Sequence, residues 1–391
     1  MTSDFFDRDA PRAGDPGGVP FAGSGDASSD GSDLPTRFRR HASSIERAGR
    51  SPLSVALMRG AADDIEAGGY LAELLDGVPL PAGQAPALRV LAALHRLVLE
   101  DRAPELSPFY PTVGGTNASS GAWQAAEKVL RSNAREVRPA LLRGVQTNEP
   151  GRSAVLFGVL LWVVERFGTP VRLFEIGASA GLNLLAPDFG YKVCDLTLGD
   201  AKSALIFEDP WVSSPVKDPA GAAERLEILE RRGCDLAPID ASSPEGRLTL
   251  LSYIWPDEPE RVARMRAALA VAALRKPLVE AEAADSWLER VLDDEQGRGV
   301  AVVWQSVVAQ YLEPESRSRI DDAVEHRGRR ATAENPLVYA RMEPGIHSDR
   351  GFGVLVTHWP GGESPDGESP GGESMVLAVA GDHGPPVRWA D

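Results

Sequence analysis

Cysteine, histidine and long apolar runs are all scarce in this 391-residue chain. The two cysteines, Cys194 and Cys234, are too few for a disulfide framework and suit a reducing cytoplasm. The six histidines are scattered, and no Cys/His spacing is typical of a metal centre, so we expect no metal ion. The longest apolar run, 154–164, is shorter than the roughly 20 residues that a membrane span needs. No signal-peptide pattern begins the chain, so we predict a soluble cytoplasmic protein without a membrane partner.

Basic residues are outnumbered by acidic ones. Lysine and arginine total 41 against 57 aspartate and glutamate residues, which gives a net charge of −16 at pH 7. Nucleic-acid binding depends on clustered basic side chains that neutralise phosphates. We therefore expect a small-molecule or protein substrate and no nucleic acid.

Composition divides the chain into three parts. Residues 1–33 are rich in Asp, Gly, Ser and Pro and predict a disordered tail, because they offer almost no apolar surface to bury. Residues 34–149 have apolar side chains at helical spacing and predict a helical region that covers the site. Residues 150–391 predict an α/β domain, with a flexible loop at 360–374 formed by a Gly-Glu-Ser-Pro repeat.

The stretch 171–185 organises the α/β domain. An apolar run, 171–176, predicts a strand. A turn made only of small residues follows at 177–181, and Leu182, Leu184 and Leu185 then predict a helix. Strand, small-residue turn and helix together present backbone N–H groups and a helix N-terminus to a ligand.

Two chemistries and one purely structural role fit this stretch. Glu175 followed by Gly177 and Gly181 resembles the first motif of S-adenosylmethionine-dependent methyltransferases. Residues 177–181 also read Gly-x-Ser-x-Gly, the nucleophile turn of serine hydrolases of the α/β class, with Ser179 as nucleophile. The third possibility is a tight turn that packs a helix on a sheet and binds nothing.

The hydrolase hypothesis is the weaker of the two chemistries. The residues before the motif predict helices, whereas a hydrolase nucleophile follows several strands of its sheet. A catalytic triad also needs a histidine, and no motif assigns that role to His358 or His383. A nicotinamide dehydrogenase is weaker still, because Gly-x-Gly-x-x-Gly is absent.

Further strands and helices are predicted after the motif. A helix over 222–232 is expected to end at Gly233. The predicted strands are 234–240, 248–255, 277–282, 300–304, 335–342, 352–359 and 375–380, the last two forming an antiparallel hairpin. Gln305 and Ser306 follow the most apolar of these strands, where ligands bind in open α/β sheets.

Several separate blocks of sequence resemble a bacterial family of uncharacterised proteins, catalogued as the domain of unknown function 2332. The similarity covers about residues 36–390. The blocks that carry it are 146–149, 175–184, 233–240, 255–257, 336–339, 342–344, 383–384 and Trp389. The resemblance implies a relative of Rossmann-type methyltransferases with an added helical region. This chain carries Gln305 where relatives are expected to carry His before the Ser, so a proton-transfer role of that histidine cannot be carried over.

We therefore predict an α/β fold: a Rossmann-like sheet of the class I methyltransferase type with a C-terminal antiparallel hairpin, preceded by the helical region. The predicted cofactor is S-adenosylmethionine. The residues expected to hold its methionine end are Glu175, Gly177, Ala178, Ser179, Gly181 and Asn183. Asp235 or Asp195 would bind the ribose, the latter being closer to the usual spacing from Gly177, and Glu282 would face the adenine.

The acceptor is expected to be oriented by Asn148, Glu149, Asp240, Gln305, Ser306 and Tyr311. Methyl transfer depends mainly on the alignment of the acceptor nucleophile. Ser179 stands where the methyltransferase motif has its middle glycine, and it restricts the backbone of the turn. That substitution favours an alternative, a non-catalytic Rossmann-like ligand-binding or scaffold protein.

Overall fold

A computed structural model describes residues 33–80, 85–293, 298–346, 351–361 and 371–390. The predicted tail at 1–33 lies outside these ranges except for its last residue, and so does most of the predicted loop at 360–374. Within that loop, Glu373 and Ser374 belong to a strand.

In the predicted helical region, every regular element of the described residues is a helix. Its helices are α1 (Leu34–Arg47), α2 (Pro52–Glu66), α3 (Tyr70–Leu75), α4 (Pro86–Leu99), α5 (Ala122–Ser132) and α6 (Ala134–Leu142). At the start of α2, the Ser51 side chain accepts a hydrogen bond from the N–H of Ser54, and Pro52 occupies the first turn. The apolar faces share one core that includes Phe38, Met58 and Leu94 and also receives Trp255 from the α/β part.

The α/β part alternates helices with strands. In chain order its elements are α7 (Ser153–Phe167), β1 (Val171–Ile176), β2 (Gly190–Val193), β3 (Leu196–Gly199), β4 (Ile206–Glu208), α8 (Pro219–Arg225), β5 (Ile228–Asp235), α9 (Pro244–Ser252), α10 (Pro259–Arg275), β6 (Leu278–Ala281), α11 (Ala284–Leu292), β7 (Val300–Ser306), α12 (Pro314–Arg329), β8 (Leu337–Pro344), β9 (Phe352–Trp359), β10 (Glu373–Gly381) and β11 (Gly384–Trp389).

In the described part of the chain, eight strands form one sheet in the order β11-β10-β9-β8-β7-β1-β5-β6, and β2, β3 and β4 form a separate small sheet. The strands β6, β5, β1, β7 and β8 are parallel, and β9 to β11 extend the sheet antiparallel. After β1 the chain forms β5 and β6 on one flank of that strand. It then crosses over and forms β7 and β8 on the other flank. This confirms the predicted α/β fold with a mostly parallel sheet and a C-terminal antiparallel hairpin.

Helices cover both faces of the central strands, so every residue of β1 and β7 is buried. Leu173 and Val302 face the core shared with α7 and α10. Phe174 and Val303 face the opposite core, with Trp287 of α11. Burial on both faces explains why these two strands read as continuous apolar runs.

Three predicted elements are wrong. The strand over 234–240 is instead the end of β5, which stops at Asp235, and 236–240 is irregular because it turns back over the carboxyl edge, where Ile239 donates its N–H to the carbonyl oxygen of Ser179.

The helix over 222–232 is instead α8 followed by β5, because Arg232 and Gly233 pair with Phe174 and Glu175 of β1. In the strand predicted over 248–255, residues 248–252 are instead the end of α9, which Ser243 caps by accepting the N–H of Gly246. At 222–232 long-range strand pairing prevailed over the local pattern, whereas at 248–252 a local helix cap decided the structure.

Two smaller corrections concern the chain after the motif and the C-terminal strands. The residues after the turn form a short 3-10 helix, Asn183–Asp188, and not the predicted α-helix. The strand β11 was not predicted, because Pro385 and Pro386 weaken its strand pattern. It lies at the edge of the sheet, where proline is tolerated. None of the described helices is long and apolar enough to cross a membrane.

Candidate functional site

The turn after β1 lies at the carboxyl edge of the sheet, the edge at which the parallel strands end. The next strand in the chain order, β5, lies on one flank of β1, and the later strand β7 lies on the other. Gly177, Ser179 and Gly181 all have positive φ, at +67°, +53° and +72°. A Cβ on Gly177 would lie 2.4 Å from Cγ2 of Val308, so glycine is required there by conformation and by space. Ser179 holds a left-handed conformation that is unfavourable for a residue with a side chain.

Asp235 ends the neighbouring strand β5 and is bound to this turn. Its Oδ2 accepts a hydrogen bond from the backbone N–H of Ser179 at 2.9 Å. Its Oδ1 accepts from the N–H of Ala237 at 2.9 Å. Asp195, the rival for the same role, is exposed in the turn between β2 and β3 of the small sheet. The structure therefore brings Asp235, and not Asp195, to the turn.

The segment before α7 closes over the turn from the other side. Oδ1 of Asn148 accepts hydrogen bonds from the backbone N–H groups of Ala180, at 3.2 Å, and Leu182, at 3.1 Å. The Ser179 hydroxyl donates to Oε1 of Gln146. Asn148 is buried, so the two N–H groups are held away from solvent.

The N–H groups of Ala178 and Gly181 in the turn are also paired. Ala178 donates to the carbonyl oxygen of Cys234 at 2.9 Å, and Gly181 donates to the carbonyl oxygen of Ala178 at 2.7 Å. Together with the bonds to Asp235 and Asn148, these contacts engage every backbone N–H from residue 178 to residue 182.

Glu175 is buried at the end of β1, with 2% of its surface exposed. Its Oε1 accepts a hydrogen bond from Nδ2 of Asn183 at 3.2 Å. Oδ1 of Asn183 in turn accepts from the Ser153 hydroxyl, at the start of α7, at 3.0 Å. Oε2 of Glu175 has no hydrogen-bond partner among the described residues. Burial raises the pKa of Glu175 to about 8, so most of this carboxyl group keeps its proton at neutral pH.

Gln305 belongs to a buried polar network at the carboxyl ends of β7 and β8. Its Nε2 donates to Oε1 of Glu343 at 2.9 Å, and its Oε1 accepts from the Tyr339 hydroxyl at 2.7 Å. The same Glu343 oxygen accepts from the N–H groups of Val308 and Ala309. Burial raises the pKa of Glu343 although these bonds oppose the rise. Sequence reasoning missed Glu343, and its position at the end of a buried strand was the available signal.

Glu149, next to Asn148 in the chain, belongs to a buried ion pair. Its Oε2 is 2.7 Å from Nη2 of Arg261, its Oε1 is 3.5 Å from Nη1 of Arg264, and Oε1 also accepts from the N–H of Gly151. Burial alone would raise the pKa of Glu149, but the two arginines hold it below its ordinary value. The side chain thereby joins α10 to the start of α7.

The other predicted residues differ in position. Oδ1 of the exposed Asp240 accepts from the N–H of Ser242 in the turn before α9, a local role. Glu282 follows β6, and its N–H donates to the carbonyl oxygen of Asp235 at 3.2 Å, which places it at the carboxyl edge. Ser306 ends β7 and is buried. Tyr311 lies just beyond it, with 40% of its surface exposed.

A separate cleft of about 490 Å³ lies between the last turns of α11 and α12. Its polar lining includes Ser286, Arg290, Asp293, His326, Arg327 and Arg330. Within the ranges that the structure describes, no three His, Cys, Asp or Glu side chains are grouped to hold a metal ion.

These features define an α/β protein with a candidate ligand site at the carboxyl edge of a mostly parallel sheet. A family model described as "Uncharacterized protein conserved in bacteria (DUF2332)" matches residues 36–389. The chain belongs to this family, as the resemblance in the sequence predicted. No curated protein matches the chain.

Proposed function

We propose that the chain is an S-adenosylmethionine-dependent methyltransferase that acts on a small-molecule or protein acceptor. Numbered along the chain, its five parallel strands lie in the order 3-2-1-4-5. This is the order of the first five strands of a Rossmann-type sheet, whose ligands bind outside the carboxyl ends of the strands. The turn 177–181 lies at that point.

One observation carries the proposal: the 2.9 Å hydrogen bond between the N–H of Ser179 and the carboxylate of Asp235. It places an acid from the end of the second parallel strand beside the glycine turn of the first. In Rossmann-type folds a carboxylate at this place binds ribose hydroxyls. Glu282, at the end of the third parallel strand, donates its backbone N–H to the same segment. Its carboxylate pairs with Arg290 and would have to leave that partner to face the adenine.

The residues present fit the cofactor. Oε2 of Glu175 is buried without a partner among the described residues, next to the turn that would hold the methionine end. An ammonium group there would supply the missing donor and favour loss of the Glu175 proton. When bound, the cofactor supplies an electrophilic methyl group, and the cofactor's sulfonium sulfur keeps the electron pair of the C–S bond that breaks.

The chain itself would align the acceptor. Ser306 and Tyr311 lie at and beyond the end of β7, and Gln305 is fixed by Tyr339 and Glu343. A fixed set of polar groups orients a nucleophile, which accounts for much of the rate in such transfers. Glu149, whose carboxylate pairs with Arg261, would fix the segment before α7 that carries Asn148.

A second candidate, a non-catalytic ligand-binding or scaffold protein, is favoured by a different observation. The N–H groups from residue 178 to residue 182 all donate to protein oxygens, two of them to Asn148. A ligand carboxylate could bind them only if Asn148 moved. The hydrolase hypothesis gains no support, since the Ser179 hydroxyl donates to the Gln146 amide and not to a base.

Calorimetric titration with S-adenosylmethionine and S-adenosylhomocysteine tests the proposal. We expect micromolar binding by the natural chain. Asp235→Asn should weaken it at least tenfold, whereas Asp195→Asn, a matched change on the small sheet, should not alter it. Gly177→Val is unsuitable because of the positive φ and the contact with Val308. A folded protein that binds neither compound would overturn the proposal and favour the second candidate.

A further inference from the structure

The segment between α6 and α7 lies across the glycine turn and is anchored on both sides. Before the turn contacts, the carbonyl oxygen of Gly144 accepts a hydrogen bond from the Tyr253 hydroxyl at 3.1 Å, and Val145 packs against the core of the helical region. After them, Glu149 enters its buried ion pair. We call the three residues between these anchors, 146–148, the strap. The strap belongs to no helix or strand, so its side chains hold it on the turn.

One side chain of the strap occupies N–H groups that the proposed ligand would need. Oδ1 of Asn148 accepts hydrogen bonds from the N–H groups of Ala180, at 3.2 Å, and Leu182, at 3.1 Å. The methionine end of S-adenosylmethionine carries a carboxylate, and successive backbone N–H groups of a turn bind such an anion. Amide and carboxylate oxygens are both acceptors. Asn148 therefore supplies the acceptor that the ligand carboxylate would supply.

A second side chain of the strap occupies the acid that is expected to bind the ribose. Nε2 of Gln146 lies 3.4 Å from Oδ1 of Asp235 and 3.3 Å from the carbonyl oxygen of Ala237. The other oxygen of Asp235 accepts from the N–H of Ser179. An amide N–H and a hydroxyl both donate to a carboxylate. Gln146 therefore supplies the donor that a ribose hydroxyl would supply.

We propose that the strap is an autoinhibitory element, which competes with S-adenosylmethionine for the turn and for Asp235. The inference rests on the proposed function, because it concerns regulation of the same site. Each N–H group has one hydrogen to donate, so Asn148 and a ligand carboxylate exclude each other at Ala180 and Leu182. The apparent affinity is then reduced to the intrinsic affinity multiplied by the fraction of molecules with an open strap.

The contacts of the strap suit an element that opens. Asn148 has a φ of +20°, which is unfavourable for a residue with a side chain, so its release relieves backbone strain. The two Gln146 contacts to Asp235 and Ala237 are longer than the usual range of N–H···O bonds and are therefore weak. Gln146 and Thr147 are partly exposed, so the strap can move toward solvent while both anchors stay in place.

The test is calorimetric titration with S-adenosylhomocysteine, which carries the same carboxylate and ribose. Asn148→Ala removes the competing acceptor and should tighten binding about 3- to 10-fold, the value of one net hydrogen bond. Gln146→Ala should also tighten it, by a smaller factor because its contacts are longer. The matched control is Thr147→Ala, inside the strap, whose side chain has no hydrogen bond within the described ranges. It should bind as the natural chain does.

Asn148→Asp should change the affinity in the opposite direction. An aspartate keeps the acceptor and adds a charge, which strengthens its bonds to the two N–H groups, so S-adenosylhomocysteine should bind more weakly. A purely structural Asn148 predicts that Asn148→Ala, too, weakens binding or leaves it unchanged, and that result would overturn the inference. If circular dichroism shows that Asn148→Ala does not fold, Gln146→Ala and Asn148→Asp carry the test.

The same titrations separate failure of this inference from failure of the proposed function. Binding by the natural chain that neither Asn148→Ala nor Gln146→Ala tightens would reject the strap alone. Absence of binding by the natural chain and by every folded variant would reject the methyltransferase, and the strap with it.

Discussion

The backbone N–H of Ser179 donates a hydrogen bond to Oδ2 of Asp235 at 2.9 Å, although 56 residues separate the two. The bond joins the turn after β1 to the end of β5. It stabilises a serine in a left-handed conformation and orients an acid toward the carboxyl edge. Stability of the turn and the proposed ribose contact thus depend on one carboxylate.

Asp235→Ala should lower the free energy of unfolding by about 1–3 kcal/mol, because the N–H groups of Ser179 and Ala237 lose their acceptor. Urea denaturation measures this change. Asp195→Ala, on the exposed turn of the small sheet, should stay within about 0.5 kcal/mol of the natural chain. Equal effects of the two substitutions would contradict the role given to Asp235.

Asn148→Ala should expose the turn without unfolding the protein. The N–H groups of Ala180 and Leu182 lose a shared acceptor, so their hydrogen exchange should accelerate, with a loss of about 1–3 kcal/mol in the free energy of unfolding. Hydrogen exchange followed by mass spectrometry measures this locally. Thr147→Ala is the adjacent control, since the Thr147 side chain forms no hydrogen bond to the described residues. Unchanged exchange in Asn148→Ala would show that Asn148 does not hold the turn.

Glu175→Gln should change how stability depends on pH. Burial raises the folded-state pKa from 4.5 to about 8, so the folded protein holds a proton that the unfolded chain has released. This contribution to stability is complete below the unfolded pKa and is lost as pH rises toward 8. Between about pH 5 and pH 8, the natural chain should lose up to about 1.4 kcal/mol per pH unit relative to Glu175→Gln. Parallel profiles from urea denaturation would refute the buried, protonated state.

Glu149→Gln should be strongly destabilising, by about 3 kcal/mol, because it leaves Arg261 and Arg264 with less compensating charge in a buried place. The low folded-state pKa of Glu149 means that its contribution is present at neutral pH and is lost as pH falls through that pKa. Thermal and urea denaturation at neutral and acidic pH measure both effects. Glu325→Gln breaks an exposed pair on α12 and should change stability by less than about 0.5 kcal/mol.

The strands β1 and β7 could be predicted because burial on both faces leaves a continuous apolar run in the sequence. The strand β5 could not, because Arg231 and Arg232 interrupt its apolar pattern. Their charges are met by Asp188 and by Glu280, which are distant in the chain. The segment 248–252 was mistaken for a strand because its leucines fit either period, and the cap at Ser243 decided for α9.

The candidate site, like the fold, could be predicted only in part from the sequence. The sequence indicated Glu175, the glycine turn and the polar groups before α7, because a strand followed by a turn of small residues presents backbone N–H groups to a ligand. It could not choose between Asp195 and Asp235, since that choice depends on which strand lies beside β1. It also gave no sign that Asn148 covers the turn or that Gln146 contacts Asp235.

By itself, the sequence determined the helical region, the central parallel strands, the final antiparallel hairpin and the family. These follow from apolar periodicity, turn residues and separate blocks of similarity, which are local properties of the chain. Only the tertiary structure decided the partners of polar groups: Asp235 with Ser179, Asn148 with Ala180 and Leu182, and Gln146 with Asp235. Hydrogen bonds and charge pairs join residues far apart in the chain, and a linear pattern does not contain their distances.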